Sequence, residues 1–339
     1  MVISSQIKIS FYSDYDFRWI NDKFLLNEEN DFYNRISICL KKKGYLLHSL
    51  DVFKKKRMHP DICIFFDMPK KRLSELINTN KTKSILLIRE DVDIIKINFD
   101  FKKHKIFDSI LTWKKSLVDN KKYFYIPCGI SSEYQKKLLF NYEKRKLCTL
   151  INCNKSSNAD GELYSYRLKI IKWFEKNRPE EFDLYGYGWD EFYLSFLSKR
   201  IFYTNKIPNL RPSYRGIVDD KIATLNKYKF SICFENNFKN KGNVTEKIID
   251  CFQARMIPIY YGPPDQEEYI PKSCFIDFRS FKSIPSMYEY IVNLPREKYF
   301  EYLENIDYFL KSKTFKEFFS FDKAMQTIYS NIDSLLNKK

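Results

Sequence analysis

The sequence has few of the residues that build metal centres, redox motifs and membrane spans. Its 339 residues include 3 histidines and 8 cysteines, and the cysteines are scattered without a CxxC pair. Neither a metal site nor a redox motif is therefore indicated, and the cysteines are expected to be reduced and buried. No stretch approaches the ~18 consecutive apolar residues that a membrane-spanning helix needs. These absences predict a cytoplasmic protein, with attachment to a membrane surface as the alternative.

Glycine is also scarce, with 8 residues, whereas aromatic residues make up 17% and charged residues 30% of the chain. This composition is typical of a globular protein, and the length favours two domains over one core. The net charge of +16 predicts an anionic partner such as a nucleotide, lipid headgroups or nucleic acid. The short basic runs fit solvated helix faces, with an anionic membrane surface as the functional alternative. No zinc-finger, RNA-binding or helix-turn-helix signature favours nucleic acid.

Apolar runs alternate with helical patterns along the N-terminal part of the chain. Strands are predicted at 7–12, 61–66, 84–88, 107–112 and 123–126, with helices near 32–43 and 71–78. Such alternation predicts a doubly wound α/β sheet. Residues 131–146 are polar and charged without a strand pattern, so the domain boundary is placed near residue 145. A second domain then opens with a strand at 147–151 and a helix at 162–176.

Residues 230–262 carry the most informative pattern in the chain. A buried strand is predicted at 230–234, a helix at 244–254 and a second strand at 257–261, which together form a βαβ unit. Ligands of such sheets bind at the carboxyl ends of the strands. The helix opens at Thr245, Glu246 and Lys247, where a carboxylate, an ammonium and free backbone N–H groups suit a diphosphate and a ribose. The alternative is a capping box with Asn243 as N-cap, which would commit Glu246 to the cap.

These motifs resemble the donor-binding motif of the α-1,3/4-fucosyltransferases, glycosyltransferase family ten, which use GDP-fucose and invert the anomeric centre. The matching segments are Phe234-Glu235-Asn236, Thr245-Glu246-Lys247, Ile257-Pro258-Ile259 and Gly262, with further blocks such as Tyr185-Gly186-Tyr187-Gly188-Trp189. The resemblance covers roughly residues 84–320 and points to the bacterial branch that decorates surface polysaccharides. It implies two Rossmann-like domains facing a cleft, the glycosyltransferase-B type. Residues 1–145 would bind the acceptor, 146–320 the GDP-sugar, and 321–339 would form a helix packing back on the first domain.

The resemblance also implies the catalytic base. Glu90 follows the strand predicted at 84–88, where the family keeps a glutamate, and a base there would take the proton of the acceptor hydroxyl. Asp91 and Asp93 are competing candidates on the same loop. Without the resemblance, Glu90 would be interpreted as a solvated carboxylate paired with Arg89.

On the donor side, the resemblance assigns Arg167 and Lys247 to the phosphates and Glu246 to the ribose hydroxyls. Arg167 on its own would be interpreted as an exposed helix arginine paired with Glu162 or Glu175. Further candidates for donor contacts are Lys221, which matches a family lysine, and two asparagines that could equally form turns, Asn154 and Asn236. Asn243 stands where the family usually has a tyrosine, which leaves the donor preference open. No metal or other cofactor is expected, since cationic side chains can stabilise the leaving diphosphate.

The predicted activity is transfer of fucose from GDP-fucose to an N-acetylglucosamine or glucose hydroxyl, in α-1,3 or α-1,4 linkage. The expected partners are GDP-fucose and a glycan acceptor, either an oligosaccharide or a lipopolysaccharide, with peripheral contact to an anionic membrane and no nucleic acid. Two alternatives stay open: a related transferase that uses another GDP-sugar, and a basic nucleic-acid-binding protein.

Overall fold

A computed structural model of the chain describes residues 6–15, 19–23, 32–130, 141–190 and 211–337. The chain forms two compact units, one comprising Met1–Ser131 and Lys316–Lys339, the other Ser132–Phe315. The first division falls earlier in the chain than the boundary predicted near residue 145. The polar segment behind that prediction lies partly in 131–140, outside the described residues.

Among its described residues, the first unit contains six strands and four α-helices before the chain enters the second unit. The strands are β1 (Lys8–Tyr12), β2 (Leu46–Ser49), β3 (Ile62–Phe66), β4 (Lys83–Ile88), β5 (Ser109–Thr112) and β6 (Tyr123–Tyr125). The helices are α1 (Phe32–Lys42), α2 (Leu50–Lys55), α3 (Leu73–Leu76) and α4 (Phe101–His104). The strands form one sheet in the order β2-β1-β3-β4-β5-β6, and all neighbours pair in parallel.

The second unit has a five-stranded parallel sheet in its own right. Its strands are β7 (Lys146–Ile151), β8 (Phe182–Tyr185), β9 (Tyr228–Phe234), β10 (Ile257–Tyr261) and β11 (Ile276–Asp277). Its helices are α5 (Tyr164–Asn177), α6 (Lys221–Leu225), α7 (Glu246–Gln253), α8 (Ile284–Val292) and α9 (Arg296–Leu310). The sheet order is β11-β10-β9-β7-β8. The chain ends with α10 (Lys313–Phe318) and α11 (Phe321–Asn337).

Both faces of the first sheet are covered, which explains why its central strands are continuous apolar runs rather than alternating ones. Every residue of β3 is buried. One core cluster joins a face of this sheet to α1 and α11, and another joins the opposite face to α2 and α3. In α11, residues such as Phe321, Met325, Ile328 and Ile332 recur at helical spacing and lie in the first of these clusters. The C-terminal helix thus completes the first unit.

The predicted fold class, two parallel α/β domains, is confirmed. The βαβ unit predicted within 230–262 is present as β9, α7 and β10, although α7 begins at Glu246, later than predicted. The short strand β2 was not predicted, because its four residues include only two buried side chains. It is nevertheless the edge strand that pairs with β1.

Candidate functional site

Glu235 is the centre of the polar cluster at the carboxyl end of β9. Its side chain is 0% exposed and accepts hydrogen bonds from the Thr245 backbone N–H (2.9 Å) and hydroxyl (2.8 Å) and from the Tyr260 hydroxyl (3.0 Å). The Lys247 Nζ atom completes the set at 2.9 Å. A buried carboxylate needs such partners to offset its lost hydration. Glu235 therefore ties the end of β9 to the start of α7 and to β10.

Thr245 is the N-cap of α7, and its hydroxyl accepts from the Lys247 N–H. The alternative interpretation, a capping box with Asn243 as N-cap, is therefore wrong. The Asn243 N–H donates to the Asn240 carbonyl within the preceding turn, and the N-cap lies two residues further along, at Thr245. The physical reason is that Glu235 already orients the Thr245 hydroxyl, so the threonine is placed to cap. Glu246, the first residue of α7, is exposed.

Lys247 presents its ammonium beside this carboxylate. Its Nζ lies 2.9 Å from Glu235 Oε2 and 3.0 Å from Thr245 Oγ1, and its side chain is 19% exposed. Burial by itself would lower the pKa of Lys247, but the carboxylates of Glu235 and Glu246 outweigh burial, and the net pKa is raised. Lys247 is therefore a permanent cation at the helix N-terminus, where an anion is also favoured by the backbone N–H groups.

Arg167 reaches the same place from α5. It is only 3% exposed, so the interpretation of an exposed arginine is wrong, and Glu175 instead pairs with Arg211. Its Nη2 donates to the carbonyls of Phe234 and Glu235, both at 2.6 Å. Its Nη1 is buried and has no hydrogen-bond partner among the residues that the structure describes. Burial lowers the pKa of Arg167, yet a guanidinium stays protonated in proteins. A buried cation with an unused N–H suits an oxyanion ligand.

The other predicted donor residues lie around this cluster with varied contacts. Asn236 Oδ1 accepts from Arg167 Nη2 at 3.4 Å. Lys221, at the start of α6, instead pairs with Asp250 of α7 at 2.6 Å. Lys221 and Lys247 both line a cavity of about 20 Å³, room for about one water and not for a nucleotide. Asn154 donates to the Gly188 carbonyl at 2.8 Å, which braces the loop after β8.

Glu90 lies in the first unit, just beyond the carboxyl end of β4, and is exposed. Its backbone N–H donates to Asp67 Oδ1 at 3.0 Å, and its carbonyl accepts from Asn98 Nδ2 at 3.0 Å. Of the two competing bases, Asp91 is 8% exposed and its Oδ1 accepts from the Val92 N–H at 2.6 Å. Asp91 therefore helps to form the turn. The Glu90 side chain is exposed to solvent, whereas its backbone N–H and carbonyl are both hydrogen-bonded.

Two buried acids at these edges, Asp67 and Glu235, were not assigned a role from the sequence. Each directly follows a buried strand, which is the signal that could have identified them. Among the described residues there is no group of three His, Cys, Asp or Glu side chains able to hold a metal ion. Within the same residues, no helix combines the length and apolar character needed to cross a bilayer.

Residues 211–331 match the model of the glycosyltransferase family 10 (fucosyltransferase) C-terminal domain. The chain is 36% identical over 126 residues to the alpha-(1,3)-fucosyltransferase FucT of Helicobacter pylori, covering 33% of this chain and 26% of that protein. It is 33% identical over 103 residues to 4-galactosyl-N-acetylglucosaminide 3-alpha-L-fucosyltransferase 9 of Mus musculus, covering 29% and 27%. The chain thus spans about a quarter of the length of these relatives.

Solved structures resemble the chain over its whole length. An alpha1,3-fucosyltransferase with GDP-fucose aligns with a TM-score of 0.55 at 16% identity, covering 100% of this chain and 93% of that one. An alpha-glucosyltransferase in complex with UDP and a 13-mer DNA aligns with a TM-score of 0.58 at 10% identity, covering 98% and 100%. At these identities the likeness establishes the fold alone. The segment 211–331 is thus similar to the C-terminal domain of glycosyltransferase family 10, the family that the motifs of this chain resemble.

Proposed function

We propose that this protein transfers fucose from GDP-fucose to a sugar hydroxyl, with inversion at the anomeric carbon. The observation that carries the proposal is that the family match at 211–331 includes Glu235 and Lys247, and that Arg167 reaches the same strand end from α5. A buried guanidinium with an unused N–H, an ammonium and a helix N-terminus favour a diphosphate at this edge of the sheet. Glu246, exposed at the start of α7, would bind the ribose hydroxyls.

The chemistry requires a base for the acceptor and stabilisation for the departing GDP. Glu90 would accept the proton of the attacking hydroxyl while that oxygen bonds to the anomeric carbon and the bond to the diphosphate breaks. Arg167 and Lys247 would stabilise the negative charge that develops on the diphosphate. Lys221, Asn154, Asn236 and Asn243 would support the donor site from surrounding positions. These cations make a divalent metal unnecessary in the proposed reaction.

The acceptor in this proposal is an N-acetylglucosamine or glucose hydroxyl of an oligosaccharide or lipopolysaccharide, joined in α-1,3 or α-1,4 linkage. The motif resemblance to the bacterial branch supports that choice. A screen of candidate acceptors by mass spectrometry identifies the product, and NMR of its anomeric proton reports the configuration. A product with retained configuration would exclude the single-base scheme built on Glu90.

A second candidate donor is another GDP-sugar, and Asn243 is the observation that favours it. The family usually has an aromatic hydroxyl at this position, whereas this chain has an amide. Turnover of GDP-fucose, GDP-mannose and UDP-sugars should be compared at equal concentration. Preference for GDP-fucose supports the first candidate, preference for GDP-mannose the second, and turnover of UDP-sugars alone would contradict both.

Donor binding is tested separately by calorimetry with GDP. Removal of the ammonium in Lys247→Ala should weaken GDP binding by roughly 10- to 100-fold, the value of one or two charge-assisted hydrogen bonds. The matched control is Lys272→Ala, because Lys272 is an exposed lysine of the same unit, 70% exposed and 3.9 Å from Glu267. Absence of heat with the wild-type protein would contradict the donor site.

The net charge of +16 motivates two further tests. Peripheral contact with an anionic membrane predicts co-sedimentation with vesicles that contain phosphatidylserine, but not with neutral vesicles. The nucleic-acid alternative predicts tight binding of oligonucleotides with a steep dependence on salt concentration. We propose the membrane contact and a cytoplasmic location, and expect only weak binding of oligonucleotides.

A further inference from the structure

The backbone of Glu90 is held by two buried side chains that come from distant parts of the first unit. Asp67, just after β3, is 6% exposed, and its Oδ1 accepts from the N–H groups of Arg89 (2.8 Å) and Glu90 (3.0 Å). Asn98, in the short 3₁₀ helix Lys96–Phe99, is 0% exposed and donates to the Glu90 carbonyl at 3.0 Å. Both polar backbone atoms of Glu90 are therefore fixed.

Asn98 also connects these two anchors to each other. Its Nδ2 donates to Asp67 Oδ1 at 2.7 Å, and its Oδ1 accepts from the Met68 N–H at 2.8 Å. The amide therefore uses both its donor and its acceptor capacity inside the protein. Asp67 has a backbone φ of 62°, in the left-handed region, which aspartate tolerates better than most residues. The turn at the end of β3 is shaped so that its carboxylate meets the turn after β4.

His104 supports this network from below. Its Nε2 lies 2.8 Å from the Asn98 carbonyl, and its Nδ1 lies 3.0 Å from the Tyr123 hydroxyl. The carbonyl can only accept, so Nε2 carries the proton and Nδ1 accepts from the tyrosine. Burial lowers the pKa of His104, in agreement with a neutral ring. The backbone of Asn98 is thereby fixed, and so is the amide that holds Glu90.

We propose that Asp67 and Asn98 are positioning residues that hold Glu90 in the orientation required for proton abstraction. This inference rests on the proposed function, in which Glu90 is the base. Burying a carboxylate costs hydration, and here its hydrogen bonds go to uncharged N–H groups rather than to a cation. Hydrogen bonds of this supporting kind hold a reacting side chain in its productive orientation. A misplacement of about 1 Å can lower a rate about 100-fold.

The charge of Asp67 gives this role a signature that a purely structural contact lacks. Titratable groups around Glu90 include Arg89, Asp91 and Asp93 on its own loop, Asp67 from the end of β3, and Tyr33 of α1. Removing the negative charge of Asp67 removes a charge repulsion that opposes the ionisation of Glu90. The acid limb of the kcat/KM profile should therefore move to lower pH in Asp67→Asn. Loss of a structural hydrogen bond would lower the amount of active protein without moving the limb.

The experiment compares Asn98→Ala and Asp67→Asn with Glu90→Gln and with a matched control. The control is Asp61→Asn, because Asp61 lies at the opposite, amino end of β3, where its carboxylate accepts from the Lys8 N–H at 2.7 Å. Asn98→Ala should lower kcat about 10- to 100-fold with the KM for GDP-fucose unchanged, because the donor residues lie in the other unit. Asp61→Asn should retain the wild-type kcat and pH profile. Circular dichroism and thermal unfolding verify that each variant is folded.

The outcomes separate the two proposals. If Glu90→Gln retains transfer, the base assignment fails and the positioning role fails with it. If Glu90→Gln is inactive while folded Asn98→Ala matches Asp61→Asn in kcat, only the positioning role is overturned. Should Asn98→Ala fail to fold, Asp67→Asn decides: an acid limb at the wild-type pH overturns the proposal, and a limb at lower pH supports it.

Discussion

In each of the two sheets, a buried strand is followed directly by a buried carboxylate, but different partners stabilise the two carboxylates. Asp67 follows β3, and the hydrogen bonds described for it come from uncharged N–H groups of Arg89, Glu90 and Asn98. Glu235 follows β9 and pairs with the Lys247 ammonium at 2.9 Å. Both residues are buried, at 6% and 0% exposure. One edge therefore holds a carboxylate by amides, and the other holds a carboxylate by a cation.

The difference fits opposite chemical tasks. At the end of β9, the two positive charges of Arg167 and Lys247 exceed the single negative charge of the buried Glu235. This edge of the sheet therefore favours an anion. At the end of β3, burial is the largest influence on Asp67 and raises its pKa. A negative charge beside Glu90 makes that side chain a better proton acceptor. The carboxylate at the end of β9 thus belongs to the site expected to hold the leaving group, and the carboxylate at the end of β3 belongs to the site expected to hold the base.

The largest expected effect comes from Glu90→Gln, which removes the proposed base and leaves the strand-end acids in place. Transfer should fall by about 10²- to 10⁴-fold, the range for loss of general base catalysis, while GDP binding stays unchanged. Initial rates and calorimetry measure the two quantities. Asp93→Asn is the comparison on the same loop, where Asp93 is also exposed. Equal loss in both variants would mean that loop charge, rather than Glu90 itself, is what matters.

Glu235→Gln tests the edge at the end of β9, where the carboxylate pairs with the Lys247 ammonium. The amide keeps an acceptor but leaves the Lys247 ammonium without its countercharge in a buried setting, so the free energy of unfolding should fall by about 3–5 kcal/mol. Denaturant unfolding followed by circular dichroism measures this loss. Glu267→Gln is the control because Glu267 pairs with Lys272 at the surface, and its effect should stay below about 1 kcal/mol. Similar losses in both variants would contradict the distinction between the two edges.

Local sequence patterns predicted the parts of this architecture that depend on contiguous residues. The run at 230–234 and the helical spacing after it predicted β9 and α7, because burial on both faces imposes continuous apolar strands. The start of α7 was predicted at 244, two residues before its first residue Glu246, and the alternative of a cap at Asn243 is wrong. The capping residue is Thr245, whose hydroxyl contacts a carboxylate that lies 10 positions away. An N-cap that is determined by a tertiary contact cannot be predicted from the local spacing of residues.

The clusters themselves depend on contacts that sequence spacing does not reveal. Asp67 and Asn98 are 31 positions apart, and Arg167 and Glu235 are 68 apart. Asn98 and Arg167 lie in helical segments that follow β4 and β7, the strands next to β3 and β9 in their sheets. This strand order cannot be deduced from apolar runs. The family resemblance supplied Arg167, whereas its burial and its unused Nη1 are properties of the fold.

A smaller effect, dependent on pH, is expected from Asp67→Asn at the other edge. Burial raises the pKa of Asp67 above the unfolded value of 3.8, so ionisation is less favourable in the folded state. The folded state then binds more protons than the unfolded state, and Asp67 lowers stability as pH rises from 3.8 through its folded pKa. An amide can keep the three bonds to Oδ1 without this cost.

Asp67→Asn should therefore gain stability relative to wild type as the pH rises from about 4 to 7. The gain is at most about 1.4 kcal/mol for each pH unit and stops above the folded pKa. Urea unfolding at several pH values gives the difference. If the difference in unfolding free energy between variant and wild type is constant across this range, burial does not disfavour the ionised carboxylate of Asp67.

The smallest expected effect is a gain from Asn243→Tyr, which restores the side chain usual in the family and sharpens the donor edge alone. Asn243 is partly exposed in the turn before α7, so a larger side chain can extend toward solvent without entering the core. One added hydrogen bond from the tyrosine hydroxyl to a phosphate is worth about 0.5–1.5 kcal/mol, or roughly 2- to 10-fold in GDP affinity. Calorimetry with GDP measures the gain, and Asn240→Tyr in the same turn is the control. Tighter GDP binding with unchanged selectivity among GDP-sugars would mean that Asn243 affects the phosphates only. A shift of selectivity toward GDP-fucose would mean that this position also sets the donor sugar.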